Sequence, residues 1–185
     1  IYSLRQNTTG DNNVAVGQSA LLNNTTANEN VAVGYNSAYN NTTGARIIAL
    51  GTYAYENSDT ENDNIAIGYE AMHTDTAGGT RNIALGNYAL DALTSGDDNI
   101  AIGHQAASAL NTGYNSVFVG SKAGASVTGG AQHVFVGFEA GNSCTTGNRN
   151  TAIGNLSYDD GWTSEGDNTA VGNEVMGGGA VGNGA

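Results

Sequence analysis

Asn64-Ile65-Ala66-Ile67-Gly68 decides the fold, because the same five-residue phrase returns along nearly the whole chain. It stands as Asn13-Val14-Ala15-Val16-Gly17 and Asn30-Val31-Ala32-Val33-Gly34 before that point, and as Asn82-Ile83-Ala84-Leu85-Gly86 and Asn99-Ile100-Ala101-Ile102-Gly103 after it. Variants are Ile47-Ile48-Ala49-Leu50-Gly51, Ser116-Val117-Phe118-Val119-Gly120, His133-Val134-Phe135-Val136-Gly137, Asn150-Thr151-Ala152-Ile153-Gly154 and Asn168-Thr169-Ala170-Val171-Gly172. The closing glycines fall 17, 17, 17, 18, 17, 17, 17, 17 and 18 residues apart. A fixed period of this kind marks a stack of identical supersecondary units.

Two further columns define the unit. Three residues after each closing glycine stands a small residue: Ala20, Ser37, Ala54, Ala71, Ala89, Ala106, Ala123, Ala140 and Ser157. Ten residues after it another glycine is common, as at Gly44, Gly78, Gly96, Gly113, Gly130 and Gly147, often behind Thr. Each unit therefore reads as a short strand, a glycine corner, a second short segment and a Thr-Gly turn. The expected fold is all-β: a parallel β-solenoid of about ten 17-residue repeats forming one domain over residues 1–185. The repeats run from about residue 12 to 172, and residues 173–185 form a degenerate Gly-rich end. Stacking at about 4.8 Å per strand gives a body on the order of 50 Å tall.

Side chains alternate along a strand, so the two aliphatic positions share one face and Asn, Ala and Gly the other. The expectation is that the aliphatic face is buried within the coil. The Asn column (Asn13, Asn30, Asn64, Asn82, Asn99, Asn150, Asn168) would then form an amide ladder, or simply suit the turn entering the strand. The Ala and Gly face permits close approach of another backbone. A thin coil cannot cover both faces by itself, so an obligate oligomer, a homotrimer above all, is expected.

Composition bounds the functions. The chain has 185 residues with 28 Gly, no Pro and one Cys, and a formal net charge of -12 from 17 acidic and 5 basic residues. Such an acidic chain repels phosphate, which argues against nucleic acid as a partner. No apolar run is long enough to enter a membrane in this segment. The start at Ile1 suggests a fragment or processed form with targeting signals elsewhere. Cys144 stands alone, which leaves no disulfide within the chain.

The units Asn30 to Ala38 and Asn64 to Ala71 resemble the head repeats of trimeric autotransporter adhesins of the YadA type, and equally the related repeats of phage tail fibres and other trimeric surface fibres. The resemblance spans about Asn12 to Gly172. It implies a left-handed parallel β-roll, three chains about one axis, and an extracellular place on a bacterial surface or a virion. It implies a non-enzymatic shaft or head that displays or performs attachment to a glycan or protein receptor. The period departs from the family pattern: the adhesin heads use somewhat shorter units, which favours the fibre branch.

Chemistry offers few rivals. His73, His104 and His133 fall in different columns, and His133 replaces a ladder Asn. No Gly-x-Ser-x-Gly nucleophile motif is present. The carboxylates Asp59, Glu61 and Asp63, the pair Asp97 and Asp98, and the pair Asp159 and Asp160 read as solvated turns. The alternatives for them are a Ca²⁺ site or the two carboxyls of a polysaccharide-degrading tailspike. The Thr pairs at 25/26, 42/43 and 145/146 raise an ice-binding solenoid as a further alternative. The ligand-contact candidates are Tyr35, Tyr39, Tyr53, Tyr55 and Tyr69, with Tyr158, Asp159, Asp160 and Trp162 in the irregular second 18-residue unit. Packing of these rings between chains is the competing reading.

Overall fold

The structure is a computed structural model and describes residues 2–57, 59–74, 79–159 and 163–175. Within them the chain winds through ten three-residue strands: β1 Val14–Val16, β2 Val31–Val33, β3 Ile48–Leu50, β4 Ile65–Ile67, β5 Ile83–Leu85, β6 Ile100–Ile102, β7 Val117–Val119, β8 Val134–Val136, β9 Thr151–Ile153 and β10 Thr169–Val171. They form one parallel sheet in chain order. Every pairing is in register, Ala66 against Ala84 and Ile67 against Leu85, for example. The result is a β-solenoid of about nine turns, roughly 43 Å from first strand to last at 4.8 Å per step. One strand serves each coil; the remaining residues form turns rather than a second strand.

Both 18-residue units keep this register, since β4 pairs with β5 and β9 with β10 without slip. Rung-to-rung backbone bonds hold phase up to Thr74 and resume at Arg81, whose amide donates to the Asn62 carbonyl. The additional residue of each unit therefore leaves the strand register intact, as a cheap insertion should. The corner glycine is required geometrically. Gly68 has φ 140°, and a Cβ there would lie 2.5 Å from the Gly86 oxygen one rung away. A side chain would be strained and would also wedge the stack apart.

The strand faces are the reverse of the expectation from hydrophobicity. The central residues point inward: Ala32, Ala49, Ala66, Ala84, Ala101, Phe118, Phe135, Ala152 and Ala170 are fully buried. The flanking aliphatic positions point outward and are half-buried or exposed, with Val16 57% and Val171 62% accessible. The physical reason is room. The interior of each coil is already filled by side chains from beyond the corner, such as Leu90 and Leu93, which leaves the inward strand position room for one Ala.

Two further columns complete the core. Four residues after the corner stand Leu21, Ala38, Tyr55, Met72, Leu90, Ala107 and Tyr158, and seven after it Leu93, Leu110, Val127 and Cys144, all buried. In the two Phe rungs core volume is balanced between strand and turn. Where the strand supplies Phe118 or Phe135, the column four beyond the corner supplies Gly124 or Gly141. A Cβ at either glycine would collide with the Phe ring of its own neighbourhood. This complementarity is the density requirement of a packed interior.

The Asn column closes each coil. Asn82 Nδ2 donates to the Gly96 carbonyl in its own coil at 2.7 Å, while its Oδ1 accepts from the Asn99 amide one rung along at 2.9 Å. Asn13, Asn30, Asn64, Asn99 and Asn150 repeat both bonds. Asn168 closes onto the Gly166 carbonyl. The column is therefore mainly a side-chain-to-backbone buckle. Amide-to-amide bonds join only Asn99 to Asn82 and Asn168 to Asn150 in it. A continuous amide ladder does exist elsewhere, from Gln6 through Asn23 and Asn40 to Asn57.

Candidate functional site

The ligand-contact candidates separate by their phase in the repeat. Tyr55 and Tyr158 stand four residues after a corner with φ 56° and 59°, which turns their rings into the core. Asn64 Nδ2 donates to the Tyr55 hydroxyl at 2.8 Å, and Asn168 Nδ2 to that of Tyr158 at 3.1 Å. The Tyr158 ring lies stacked 6.2 Å from Phe135. Burial pushes its phenol up to about 12. These two are core residues, which corrects their placement among outward-facing contacts. Leu21, Met72 and Leu90 share their column, and that apolar neighbourhood is the sequence signal for it. Tyr39 and Asp159 are half-buried, while Asp160 and Trp162 lie outside the described residues.

Tyr35, Tyr53 and Tyr69 do come together. They stand one or two residues after successive corners and form an edge-to-face row that Tyr88 and His104 extend. Centroid distances along it are 5.3, 6.1, 5.5 and 6.1 Å, the range favoured by aromatic quadrupoles. The sequence reading missed Tyr88 and His104 because they lie beyond the cluster of tyrosines in the third to fifth units.

Polar groups flank the row. Glu56 accepts from Asn36 Nδ2 at 2.7 Å and faces His73 Nε2 at 2.9 Å. Asp91 stands 3.9 Å from the other His73 nitrogen, its carboxyl held above the usual range by burial. Glu70 bonds the Tyr69 hydroxyl and, with partial loss of water, pushes that phenol up to about 12. Tyr53 is raised chiefly by loss of water and then by Tyr35 and Glu56. The Tyr53 and Tyr69 phenols are consequently neutral at physiological pH and present uncharged faces.

The acidic clusters are occupied by structural duties. Asp63 and Asp98 form exposed two-point ion pairs with Arg46 and Arg81 one rung before them, and Asp167 does so with Arg149. Asp97 accepts from the Thr80 amide and hydroxyl, and Glu61 from the Asp59 and Thr60 amides. Among the described residues no three His, Cys, Asp or Glu side chains come together to hold a metal ion. The Thr column is likewise committed: Thr8, Thr25, Thr42, Thr94, Thr128 and Thr145 each donate a hydroxyl to the next rung's carbonyl, within turns rather than on the sheet.

His133 and Cys144 are buried and separate from the row. His133 takes the Asn position, and its Nδ1 accepts weakly from the Asn150 amide at 3.4 Å. Its Nε2 faces the Gly147 backbone without closing a well-formed hydrogen bond. Burial pushes the imidazole down to about 4, so it is neutral near pH 7. Burial also raises the Cys144 thiol, which keeps it protonated and unreactive.

The described residues contain no helix long and apolar enough to cross a membrane. No protein-family model, no curated protein and no solved structure matches the chain.

Proposed function

We propose that this chain is a non-enzymatic segment of a self-associating surface fibre or adhesin, in which three copies share one axis and the assembled rod displays or performs attachment to a cell surface. One observation carries the reading: the outward sheet face. Of its twenty flanking positions all but Thr151 and Thr169 are Val, Ile or Leu. They form an apolar strip two side chains wide from β1 to β8 and one wide over β9 and β10, larger than the scattered apolar residues that ordinary surfaces carry.

The strip is one strand wide and keeps the same backbone register from rung to rung. Such a surface suits a second copy of itself, because an axial neighbour with the same rise keeps every rung in contact. Three sheets around an axis place six aliphatic side chains in each layer, enough to fill the centre. Covering each half-exposed Val or Ile contributes about 1 kcal/mol. The left-handed winding, the glycan or protein receptor and the extracellular, cell-surface or virion location belong to the same proposal, supported by the likeness of the repeats to trimeric surface fibres. Sedimentation equilibrium tests it. The expected mass is three times the 18.7 kDa chain. A folded 18.7 kDa monomer at micromolar concentration would refute the assembly.

A further inference from the structure

From β1 to β9 the residue directly after the corner glycine has a period twice that of the repeat, and β10 departs from it with Asn173. On β2, β4, β6 and β8 it is Tyr35, Tyr69, His104 and Phe138, spaced 34, 35 and 34 residues apart. On the odd rungs β1, β3, β5, β7 and β9 it is Gln18, Thr52, Asn87, Ser121 and Asn155, all capable of hydrogen bonding. Tyr35, Tyr69 and Phe138 are 41%, 38% and 47% accessible, and His104 is exposed. The solenoid thus holds four aromatic platforms at every second rung, about 9.6 Å apart, with a polar side chain on each intervening rung, beside Tyr53 on β3 and Tyr88 on β5.

Tyr53 and Tyr88 brace three of these platforms. They project from the next position on odd rungs and meet Tyr35, Tyr69 and His104 edge-on, at interplanar angles of 76–90°. A ring braced edge-on loses little entropy when a ligand covers its face.

We propose that this row binds a linear, uncharged polysaccharide lying along the long axis, with every second sugar stacked on one of the four aromatic side chains. In an extended chain of β-linked pyranoses successive sugars turn opposite faces outward, so the same apolar C–H face recurs every second unit, close to the two-rung spacing. The hydroxyls of the intervening sugars meet Gln18, Thr52, Asn87, Ser121 and Asn155. Charge selects against anionic polymers: the chain carries a net -12, and Glu70 and Glu139 stand beside the row. The proposal rests on reading the chain as an attachment segment and names the class of its receptor.

The test is a phase experiment by isothermal titration with hexamers of β-1,4-linked glucose and of β-1,4-linked N-acetylglucosamine, and with an anionic polyuronate as control. Asn155 and Asn173 are both exposed, occupy the same column on successive rungs, and bond each other at 3.1 Å. Asn173→Tyr adds a platform in phase and is expected to tighten binding several-fold. Asn155→Tyr breaks the same bond out of phase and is expected to leave affinity unchanged or lower. Phe138→Ala, whose ring touches no other aromatic among the described residues, and Tyr69→Ala should each weaken binding roughly fivefold. Equal effects of the two Asn variants, no effect of either Ala variant, binding to neither hexamer, or tighter binding of the polyuronate would each overturn the site. Solution mass on the same samples separates the two readings. A three-copy mass without binding discards the site and leaves the assembly, whereas a monomer that binds with this phase dependence keeps the site and discards the assembly.

Discussion

Each strand carries two faces that obey different constraints. Inward, Ala66 and its equivalents are fully buried in a column too narrow for anything larger, unless Gly124 or Gly141 makes way for Phe118 or Phe135. Outward, Ile65, Ile67 and their equivalents are larger and more apolar, yet remain partly accessible. In a solenoid this thin, hydrophobicity does not say which face is the core; coil circumference does. The surplus apolar surface outside is then a contact face rather than a fault in packing.

The contrast is tested most severely on one rung. Ala66→Asp buries an unpaired carboxylate and is expected to cost about 4 kcal/mol or more, lowering the denaturation midpoint of the array. Ile67→Asp, one residue along on the other face, should leave a folded monomer behind while abolishing self-association. Circular dichroism and sedimentation on the two variants check this. Similar loss of folded signal in both would mean the faces are equivalent.

The Phe rungs are next. Phe135→Ala is expected to cost about 3–4 kcal/mol through the cavity it opens. Gly141→Leu alone should destabilise by collision, although its φ of 67° lies in the left-handed region that Leu21 and Leu90 already occupy at 50° and 51° in equivalent positions. Combining them recreates the Ala-with-Leu arrangement of rung β5, so the double variant should be more stable than the sum of the two losses by about 1–3 kcal/mol. Additive losses in urea denaturation would remove the claim of volume balance in the Phe rungs.

A smaller effect follows from His133. Its folded value is down to about 4 against an ordinary value of 6.5, so the unfolded chain takes up the proton first as pH falls. Stability is full above pH 6.5 and declines between 6.5 and about 4, by up to about 3 kcal/mol. His133→Asn restores the buckle residue of the other rungs and should flatten that part of the pH profile. A profile unchanged by the substitution would show that the imidazole does not titrate between the two states.

The smallest effect belongs to the exposed ion pairs. Arg81→Ala should change stability only marginally, and less still in high salt. Asp63, Asp98 and Asp167 are each held below the usual carboxylate range by their Arg partners. Their small contribution is present above that range and fades as they are protonated in acid. A salt-independent loss of several kcal/mol in thermal unfolding would contradict this.

How much of this was legible follows from the kind of signal. The 17-residue period located all ten strands and their register, and the corner glycines marked the turns, because these are local backbone demands repeated many times. The inward face was not legible, since Val-Ala-Val alternates equally well in either orientation and the deciding quantity is interior width. Tyr55 and Tyr158 were misplaced because residue type was read without phase; aligned on the corner glycine they share a column with Leu21, Met72 and Leu90. The Tyr35, Tyr53 and Tyr69 cluster was legible, but its ordering was not. The double period that includes His104 and Phe138 emerges only when alternate coils are compared.

Cross-linking at two adjacent positions tests the orientation of the strand and its covering together. Ala66→Cys and Ile67→Cys differ only in face, and native Cys144, buried in the core, serves as an internal unreactive control. The expected result is that mild oxidation joins the Ile67→Cys chains to one another as covalent dimers within a three-copy assembly, while the Ala66→Cys thiol remains free. The contradicting result is an Ile67→Cys thiol that stays uncoupled and fully reactive in a folded monomer, or an Ala66→Cys thiol that couples between chains instead.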